Sequence, residues 1–156
     1  MHYFKEYKFE RGSDMKSQKA GFHSLRRLLE GKNIRPSFQR MKILDYLRKS
    51  KDHPTAEMIY RSLLSEIPTL SRTTVFSTLK LFYRKGLISQ VFIDESEMRY
   101  DPITKPHPHF KCLKCGRIFD LDMECPYGSL KSVNGHKIYE CHMYFVGICK
   151  DCLNKG

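Results

Sequence analysis

The sequence lacks a long apolar run and is short of acidic residues. No apolar stretch approaches the ~20 residues that a membrane-spanning helix requires, and no basic-then-apolar signal pattern opens the chain, so we expect a cytoplasmic location and no membrane partner. The chain has only 17 acidic residues but 28 lysines and arginines, which gives a net charge of +11. Four of the six cysteines form two CxxC pairs. In a reducing compartment such cysteines are more often metal ligands than cross-links.

The positive charge is concentrated in the first third of the chain. Residues 1–50 hold 13 Lys and Arg against 5 Asp and Glu, whereas residues 51–101 balance at 7 against 7. This asymmetry is typical of a nucleic-acid-binding protein, and a solvated basic surface is the plainer alternative. Residues 1–21 show no sustained helical period and are predicted to form a basic N-terminal extension.

Four helical segments are predicted between residues 22 and 86. The third follows His53-Pro54, with Thr55 as its N-cap, and the fourth covers SRTTVFSTLKLFYRKG, with Ser71 as its N-cap and Gly86 as its stop. At 100° per residue the fourth helix has one apolar face and one polar, basic face. The apolar face carries Val75, Leu79 and Phe82, and the opposite face carries Thr73, Ser77, Lys80 and Arg84.

The short link between the third and fourth helices predicts a helix-turn-helix. Two strand-like runs then flank the acidic turn 94–97 and predict a β-hairpin wing. Helices followed by a recognition helix and a wing are typical of a winged-helix DNA-binding domain, here residues 22–101. Because carboxylates repel phosphate, we expect the wing tip to lie away from the DNA backbone.

The proline-rich segment PITKPHP predicts a stiff linker, residues 102–107, before a small domain at residues 108–156. In that domain HFKCLKCGRIFDLD predicts two strands around a tight turn, and HKIYECHMYFVGIC predicts a long β segment. PYGSLKSVNG between them holds at most a short helix. So small a core normally requires a metal or a partner chain. The predicted class is α+β, with a winged-helix domain and a small C-terminal α/β domain.

The two CxxC pairs predict a structural zinc site. Each CxxC turn supplies two thiolates, and two turns complete a tetrahedral four-sulfur site that selects Zn²⁺ over Mn²⁺ or Fe²⁺. A redox pair or reversible disulfides are the alternatives, but neither pair opens a helix in a βαβ setting. Cys125 and Cys141 lack paired spacing and are interpreted as small buried hydrophobic residues. The predicted zinc ligands are Cys112, Cys115, Cys149 and Cys152.

The HPH sequence at 107–109 indicates a metal site of a different kind. Alternate residues of an extended segment point the same way, so one ion can take both imidazoles, although surface histidines beside a linker are the plainer interpretation. One more histidine, His53, lies at the start of the third predicted helix. Two aspartates lie at the end of the wing (Asp101) and after the CxxC hairpin (Asp120). Mixed nitrogen and oxygen ligands suit Fe²⁺, Mn²⁺ or Zn²⁺, and ligands from both domains would fix the angle between them. The predicted regulatory set is His53, Asp101, His107, His109 and Asp120.

From Phe22 to Cys152 the chain resembles the ferric uptake regulator (Fur) superfamily of metal-dependent bacterial repressors. RPSFQRMKIL, HPTAEMIY, SRTTVFSTLKLF, RYD, HPHFKCLKCGRIFDLD and GICKDC stand in the order of that family. The resemblance implies a homodimer with a C-terminal dimerisation domain that binds AT-rich palindromic double-stranded DNA when the regulatory metal is present. It also implies that Arg35 reaches the minor groove and that Phe76, where the family has Tyr, contacts a thymine methyl. The expected DNA-binding residues are Arg35, Arg72, Thr73, Phe76, Ser77, Lys80 and Arg84.

Within the superfamily the chain is most similar to the peroxide-sensing, PerR-like branch, whose five ligands match the regulatory set. The iron-uptake branch usually has Glu where this chain has Asp101 and Asp120. The resemblance implies that bound Fe²⁺ reacts with hydrogen peroxide and that His53 or His107 is oxidised, which ends repression. The alternative is a regulator that responds to iron, manganese or zinc occupancy without histidine oxidation.

Two other classes of protein explain the sequence less well. A small metal-dependent hydrolase would need a general base beside the His/Asp set, and the sequence offers none. A zinc-ribbon RNA-binding module would explain the charge and the cysteines but not His53 and Asp101. We therefore predict a transcriptional regulator rather than an enzyme, with structural Zn²⁺ and with regulatory Fe²⁺ or Mn²⁺ or, alternatively, Zn²⁺.

Overall fold

A computed structural model describes residues 15–93 and 97–155, with side chains from residue 21 onward. Helices and strands mix as the α+β class requires, and no helix within these two ranges is long and apolar enough to cross a bilayer. The helices are α1 (Met15–Gly31), α2 (Phe38–Lys49), α3 (Ala56–Leu63), α4 (Arg72–Arg84) and α5 (Lys150–Leu153). The strands are β1 (Ser89–Val91), β2 (Arg99–Asp101), β3 (His109–Cys112), β4 (Ile118–Asp120), β5 (Ser132–Val133), β6 (His136–Lys137) and β7 (Tyr144–Gly147).

Side-chain caps define where the helices start. The Thr55 hydroxyl accepts a hydrogen bond from the Met58 backbone N–H, and the Ser71 hydroxyl accepts one from Thr74, as predicted for α3 and α4. Gly86 follows α4 with a φ of +62°, a conformation that favours glycine.

The first helix is longer than predicted. Because α1 begins at Met15 and not at Phe22, the prediction of an irregular stretch up to residue 21 was wrong for its last seven residues. Lys, Gln and Ala in this stretch are good helix formers even without an apolar period. Residues 1–14 of the predicted extension lie outside the described residues.

The N-terminal unit is held by one apolar core. Helices α1 to α4 contribute fully buried side chains such as Leu29, Ile43 and Phe82, and Ile88 and Tyr100 from the β1–β2 region complete the cluster. Each such side chain contributes about 1.5–3 kcal/mol through burial. The predicted hairpin is confirmed, because β1 pairs antiparallel with β2, while the predicted wing tip at Asp94 and Glu95 lies outside the described residues.

Strand β2 is also tied to the segment before α3. The Tyr100 backbone N–H donates to the Pro54 carbonyl at 3.1 Å, and Thr55 forms a β-bridge with Arg99. These bonds fix the end of the hairpin next to the start of α3. As a result His53 and Asp101 belong to one rigid junction.

The C-terminal unit is built on a three-stranded sheet in the order β4-β3-β7. Strands β3 and β4 are antiparallel around a tight turn at Gly116, whose φ is +70°, which confirms the predicted hairpin. Strand β7 runs parallel to β3. The buried cluster of this unit consists of Cys112, Cys149 and Cys152 with Phe110 and Phe119 against it, so cysteines make much of its core.

Two expectations about the C-terminal unit were not met. The long β segment is divided into β6 and β7 by irregular residues 138–143, while the segment 126–135, expected to hold at most a short helix, contains turns and strand β5. Cys125 and Cys141 are half-buried, not buried as predicted. They lie in the loops on either side of the β5–β6 hairpin, where little apolar surface covers them.

Candidate metal centres

The five residues predicted to form the regulatory site converge on one point. His53 precedes α3, Asp101 ends β2, His107 lies in the linker, His109 begins β3 and Asp120 ends β4. One donor atom from each of these residues lies within 4.8 Å of all the others. The Nε2 atoms of His53 and His107 lie 2.8 and 3.0 Å from Asp120 Oδ1. Asp101 Oδ2 lies 3.0 Å from His107 Nε2 and 3.3 Å from His109 Nε2.

These separations fit a divalent cation at the centre of the cluster. Bonds of about 2.0–2.2 Å to nitrogen and oxygen place adjacent ligands of one ion about 3 Å apart. Three imidazoles and two carboxylates form the borderline donor set that Fe²⁺, Mn²⁺ and Zn²⁺ accept in five- or six-coordinate geometry. The chemistry and the spacing of the donors therefore agree.

Backbone contacts orient two of the ligands. His107 Nδ1 lies 2.9 Å from the Lys105 carbonyl, and a proton donated there leaves the Nε2 lone pair for a metal. The Ile103 backbone N–H donates to Asp101 Oδ1 at 2.7 Å, while Oδ2 faces the histidines. These contacts could not be predicted from the sequence, because they depend on the path of the linker.

His53 is the strained member of the set. Its φ of +46° lies in the left-handed region, although the following Pro54 favours extended backbone at this position. Its buried Nδ1 atom has no hydrogen-bond partner among the residues that the structure describes. A conformation of this kind costs about 1–3 kcal/mol and is typical of functional sites.

The four-cysteine cluster brings its predicted ligands together. The CxxC turn between β3 and β4 meets the CxxC turn that opens α5, and all four Sγ atoms lie within 4.8 Å of one another. Cys115 Sγ and Cys149 Sγ are 3.8 Å apart, close to the ~3.8 Å edge of a tetrahedron with 2.3 Å Zn–S bonds. The four sulfurs fit a structural Zn²⁺.

Polar groups around the cluster favour thiolates. Burial opposes ionisation of Cys112, but the backbone N–H groups of Cys149 and Cys115 donate to its sulfur at 3.3 and 3.4 Å and lower its pKa to about 6. A hydrogen bond from Arg117 lowers the pKa of Cys115, and Arg117 is held in turn by Asp151 at 2.7 Å. Burial raises the pKa of Cys152, so zinc binding would displace its proton.

The sequence pattern of the ferric uptake regulator family matches residues 31–146. The chain belongs to this family. The peroxide operon regulator of Bacillus subtilis (strain 168) is 33% identical over 145 residues, which cover 85% of this chain and 96% of that protein. PerR, the peroxide-responsive repressor of Staphylococcus epidermidis, is 31% identical over 126 residues, 79% of this chain and 84% of that protein. The Helicobacter pylori ferric uptake regulator Fur superposes with a TM-score of 0.63 at 23% identity, over 86% of this chain and 93% of that one, so the fold is shared.

This member of the family exposes most of the predicted DNA-binding residues on one face of α4. Phe76 is 54% exposed, although it is a large apolar residue. The neighbouring exposed residues on that helix are Thr73, Ser77, Lys80 and Arg84, and Arg35 is exposed before α2.

Arg72 at the start of α4 is bound within the regulator. Its guanidinium donates to both carboxylate oxygens of Glu57 at 2.8 and 2.9 Å and lies 4.4 Å from the ring centre of Tyr60. Glu57 could not be identified from the sequence, because nothing in the local pattern connects it to a residue on the next helix. In this conformation Arg72 fixes α4 against α3.

The His/Asp cluster holds its groups in opposite charge states. Burial disfavours the charged form of His53, but hydrogen bonds and charge interactions with Asp101 and Asp120 outweigh burial and raise its pKa. Burial likewise opposes the charge of Asp101, yet hydrogen bonds from His109, His53 and the Ile103 backbone hold the pKa of this carboxyl far below its usual range. Without metal, the pair therefore tends towards imidazolium and carboxylate.

We expect the affinity for Mn²⁺ to fall as the pH is lowered. A metal binds neutral His53, and because its pKa is raised above the usual ~6.5, proton competition begins above that pH. In the metal-free protein the contribution of the His53 ion pair to stability is complete below pH ~6.5 and is lost as the pH rises through the raised pKa. Mn²⁺ titrations at about pH 6, 7 and 8 measure this, with up to about tenfold weaker binding per pH unit. Equal affinity at pH ~6 and ~8 would contradict it.

Proposed function

We propose that this chain is a metal-dependent DNA-binding repressor that senses peroxide. The observation that carries the proposal is the convergence of ligands from both halves of the chain. His53 and Asp101 belong to the N-terminal helices and hairpin, whereas His109 and Asp120 belong to the C-terminal sheet. A regulatory Fe²⁺ or Mn²⁺ held by all of them fixes the helices relative to the sheet. Loss of the metal lets the helices move relative to the sheet and ends DNA binding.

The N-terminal unit acts as the DNA-binding domain in this proposal. Helices α3 and α4 form a helix-turn-helix and strands β1 and β2 form the wing of a winged-helix domain. The exposed face of α4 enters the major groove, where Phe76 contacts a thymine methyl and Lys80 and Arg84 contact phosphate. Arg35 reaches the adjacent minor groove. Arg72 serves first to position α4 through Glu57.

The C-terminal unit acts as the dimerisation domain. Strand β7 lies at the edge of its sheet and exposes Phe145 and Val146, which are 41% and 57% accessible. An exposed apolar edge strand is typical of a surface that pairs with another chain. A two-fold homodimer presents two copies of α4, which matches an AT-rich palindromic operator.

Peroxide sensing is supported by the placement of two histidines. His53 and His107 both face Asp120 Oδ1 at 3.0 Å or less. These residues would hold Fe²⁺, which would supply the electrons for reducing peroxide, and the two rings are the side chains placed to be oxidised there. An oxidised imidazole is a poorer metal ligand. Oxidation of either residue therefore releases the metal, and the link between the two units is lost. The curated relatives described above are peroxide regulators.

We expect one oxygen to be added to His53 or His107 when the Fe²⁺-loaded protein meets dilute peroxide, and no addition in the Mn²⁺-loaded protein. Tryptic peptides 52–61 and 100–111 carry the two residues. Met58 in the first peptide controls for oxidation that does not depend on iron. DNA release, followed by fluorescence anisotropy on a palindromic duplex, should follow the oxidation.

Unmodified histidines in a fully iron-loaded protein would contradict peroxide sensing by this route. If such a protein still released DNA on chelation, it would be a regulator that responds to metal occupancy. Metal-independent binding to the palindrome would contradict both forms of the proposal.

A further inference from the structure

The two units also touch outside the ligand cluster, through the loop that leads into β7 and the first residue of that strand. Alternate residues of an extended segment point the same way, and here Glu140, His142 and Tyr144 all face the N-terminal unit. Glu140 accepts a hydrogen bond of 2.5 Å from the Tyr83 hydroxyl of α4. The His142 ring meets the Phe92 ring at 5.1 Å between centroids, and the Phe92 backbone N–H donates to the Tyr144 hydroxyl at 2.9 Å. We call these five residues the clamp.

The clamp connects the strands that lie next to two of the metal ligands. In the C-terminal unit, Tyr144 pairs with His109 across β7 and β3, and the His109 backbone N–H donates to the Met143 carbonyl at 3.0 Å. In the N-terminal unit, Phe92 directly follows β1, which pairs with the strand that ends at Asp101. Asp101 Oδ2 and His109 Nε2 lie 3.3 Å apart in the ligand cluster. The clamp therefore holds together the two parts of the fold whose ligands must meet around one ion.

The clamp and the ligand cluster border the same cavity between the units. The cavity has a volume of about 480 Å³, and its lining includes Tyr83, Glu140 and His142 of the clamp as well as the ligands His107 and His109. A single point of contact would let one unit rotate about it. Two separate contacts restrict that rotation, so the clamp limits the movements that would pull the ligands apart.

Charge strengthens the hydrogen bond between Tyr83 and Glu140. A hydroxyl that donates to a carboxylate at 2.5 Å forms a charge-assisted hydrogen bond, which is roughly twice as strong as a neutral one. This bond raises the pKa of Tyr83 and lowers the pKa of Glu140, so the phenol keeps its proton and the carboxylate keeps its charge. The second carboxylate oxygen of Glu140 lies 3.1 Å from His142 Nε2, which holds the acceptor in place.

We propose that Tyr83 and Glu140 are positioning residues for the regulatory metal. Their hydrogen bond favours the closed arrangement, in which the ligands of both units already lie close together before an ion binds. The metal-free protein exchanges between this arrangement and open ones, and its apparent metal affinity is proportional to the closed fraction. The clamp raises that fraction without supplying a ligand atom. This role rests on the metal site of the proposed function, but it requires neither DNA binding nor peroxide sensing.

Calorimetric titration of the full, zinc-loaded chain with Mn²⁺ tests this role. Tyr83→Phe removes the donor hydroxyl, and Glu140→Ala removes the acceptor. Each variant should bind Mn²⁺ about 3- to 10-fold more weakly, the effect of one net hydrogen bond on the closed fraction. The double variant should bind no more weakly than the single variants, and Glu140→Gln, which keeps an acceptor oxygen, should lose less than Glu140→Ala. The matched control is Tyr139→Phe, which should change nothing, because Tyr139 is 83% exposed and its ring lies against Lys137 of its own unit.

Two further measurements separate positioning from damage to the fold and from DNA contact. Zinc content and circular dichroism of Tyr83→Phe should match the wild type, because the ring that packs against the N-terminal core is retained. DNA affinity at saturating Mn²⁺ should also match, since the bound ion then holds the units together.

The proposal is overturned if Tyr83→Phe binds Mn²⁺ as tightly as the wild type, or if the losses of the two single variants add in the double variant. Weaker DNA binding at saturating Mn²⁺ with unchanged Mn²⁺ affinity would also overturn it, and would make Tyr83 a DNA contact. A wild-type protein that binds Mn²⁺ but no palindromic duplex would contradict the proposed function, while the Mn²⁺ titrations would still decide the role of the clamp.

Discussion

Replacing Cys112 by serine is expected to release zinc and unfold the C-terminal unit. Cys112 is fully buried, and its sulfur accepts backbone hydrogen bonds from Cys115 and Cys149, so it connects both CxxC turns. Structural zinc contributes an apparent binding free energy of about 10–16 kcal/mol. That is as large as the whole ~5–15 kcal/mol by which a typical domain is stable. The apolar cluster around the cysteines is too small to replace it.

Zinc content, thermal unfolding and the molecular mass in solution measure this effect. The Cys112→Ser protein should carry no zinc, show no cooperative transition for the C-terminal unit, and elute as a monomer. The matched control is Cys125→Ser, which changes a half-buried cysteine outside the cluster and should keep one zinc per chain. A Cys112→Ser protein that stays zinc-loaded and dimeric would show that the four sulfurs are not a structural centre.

Local patterns were sufficient to predict the starts of α3 and α4 and the residues that meet in the two clusters. Thr55 and Ser71 cap α3 and α4 because capping depends on a few consecutive residues. The two CxxC pairs and the HPH sequence likewise bring donors together through short spacing. Asp101 and Asp120 were identified because they stand at structural junctions, at the end of the wing and after the CxxC hairpin. The strand register, which the sequence analysis did not use, sets His109 opposite Asp120.

Contacts between distant segments were not predictable in the same way. The pairing of Arg72 with Glu57 and that of Tyr83 with Glu140 leave no mark on the local sequence. In each case the tertiary fold, and not propensity, decides which side chains meet.

Replacing His107 by alanine is expected to abolish metal-activated DNA binding while the fold and the zinc remain. His107 Nε2 lies 3.0 Å from a carboxylate oxygen of both Asp101 and Asp120, so it closes the site between the two units. Removing a residue that only hydrogen-bonds to a metal ligand typically lowers metal affinity about 10- to 100-fold. We therefore expect the loss of a ligand itself to lower the affinity for Mn²⁺ at least ~100-fold. Because the side chain is 17% exposed and lies in the linker, its removal leaves the two cores intact.

Mn²⁺ titration and anisotropy on a palindromic duplex separate the two parts of this prediction. The variant should keep its zinc and its dimeric mass, bind Mn²⁺ at least ~100-fold more weakly, and show no DNA binding even when Mn²⁺ saturates its site. His136→Ala is the matched control, because His136 is an exposed histidine on β6 outside the ligand cluster and its loss should change neither measurement. A His107→Ala protein that binds DNA at the wild-type Mn²⁺ concentration would show that this cluster does not control DNA binding. Weaker Mn²⁺ binding with unchanged DNA affinity at saturation would instead show that the remaining four ligands suffice to orient the helices once the site is filled.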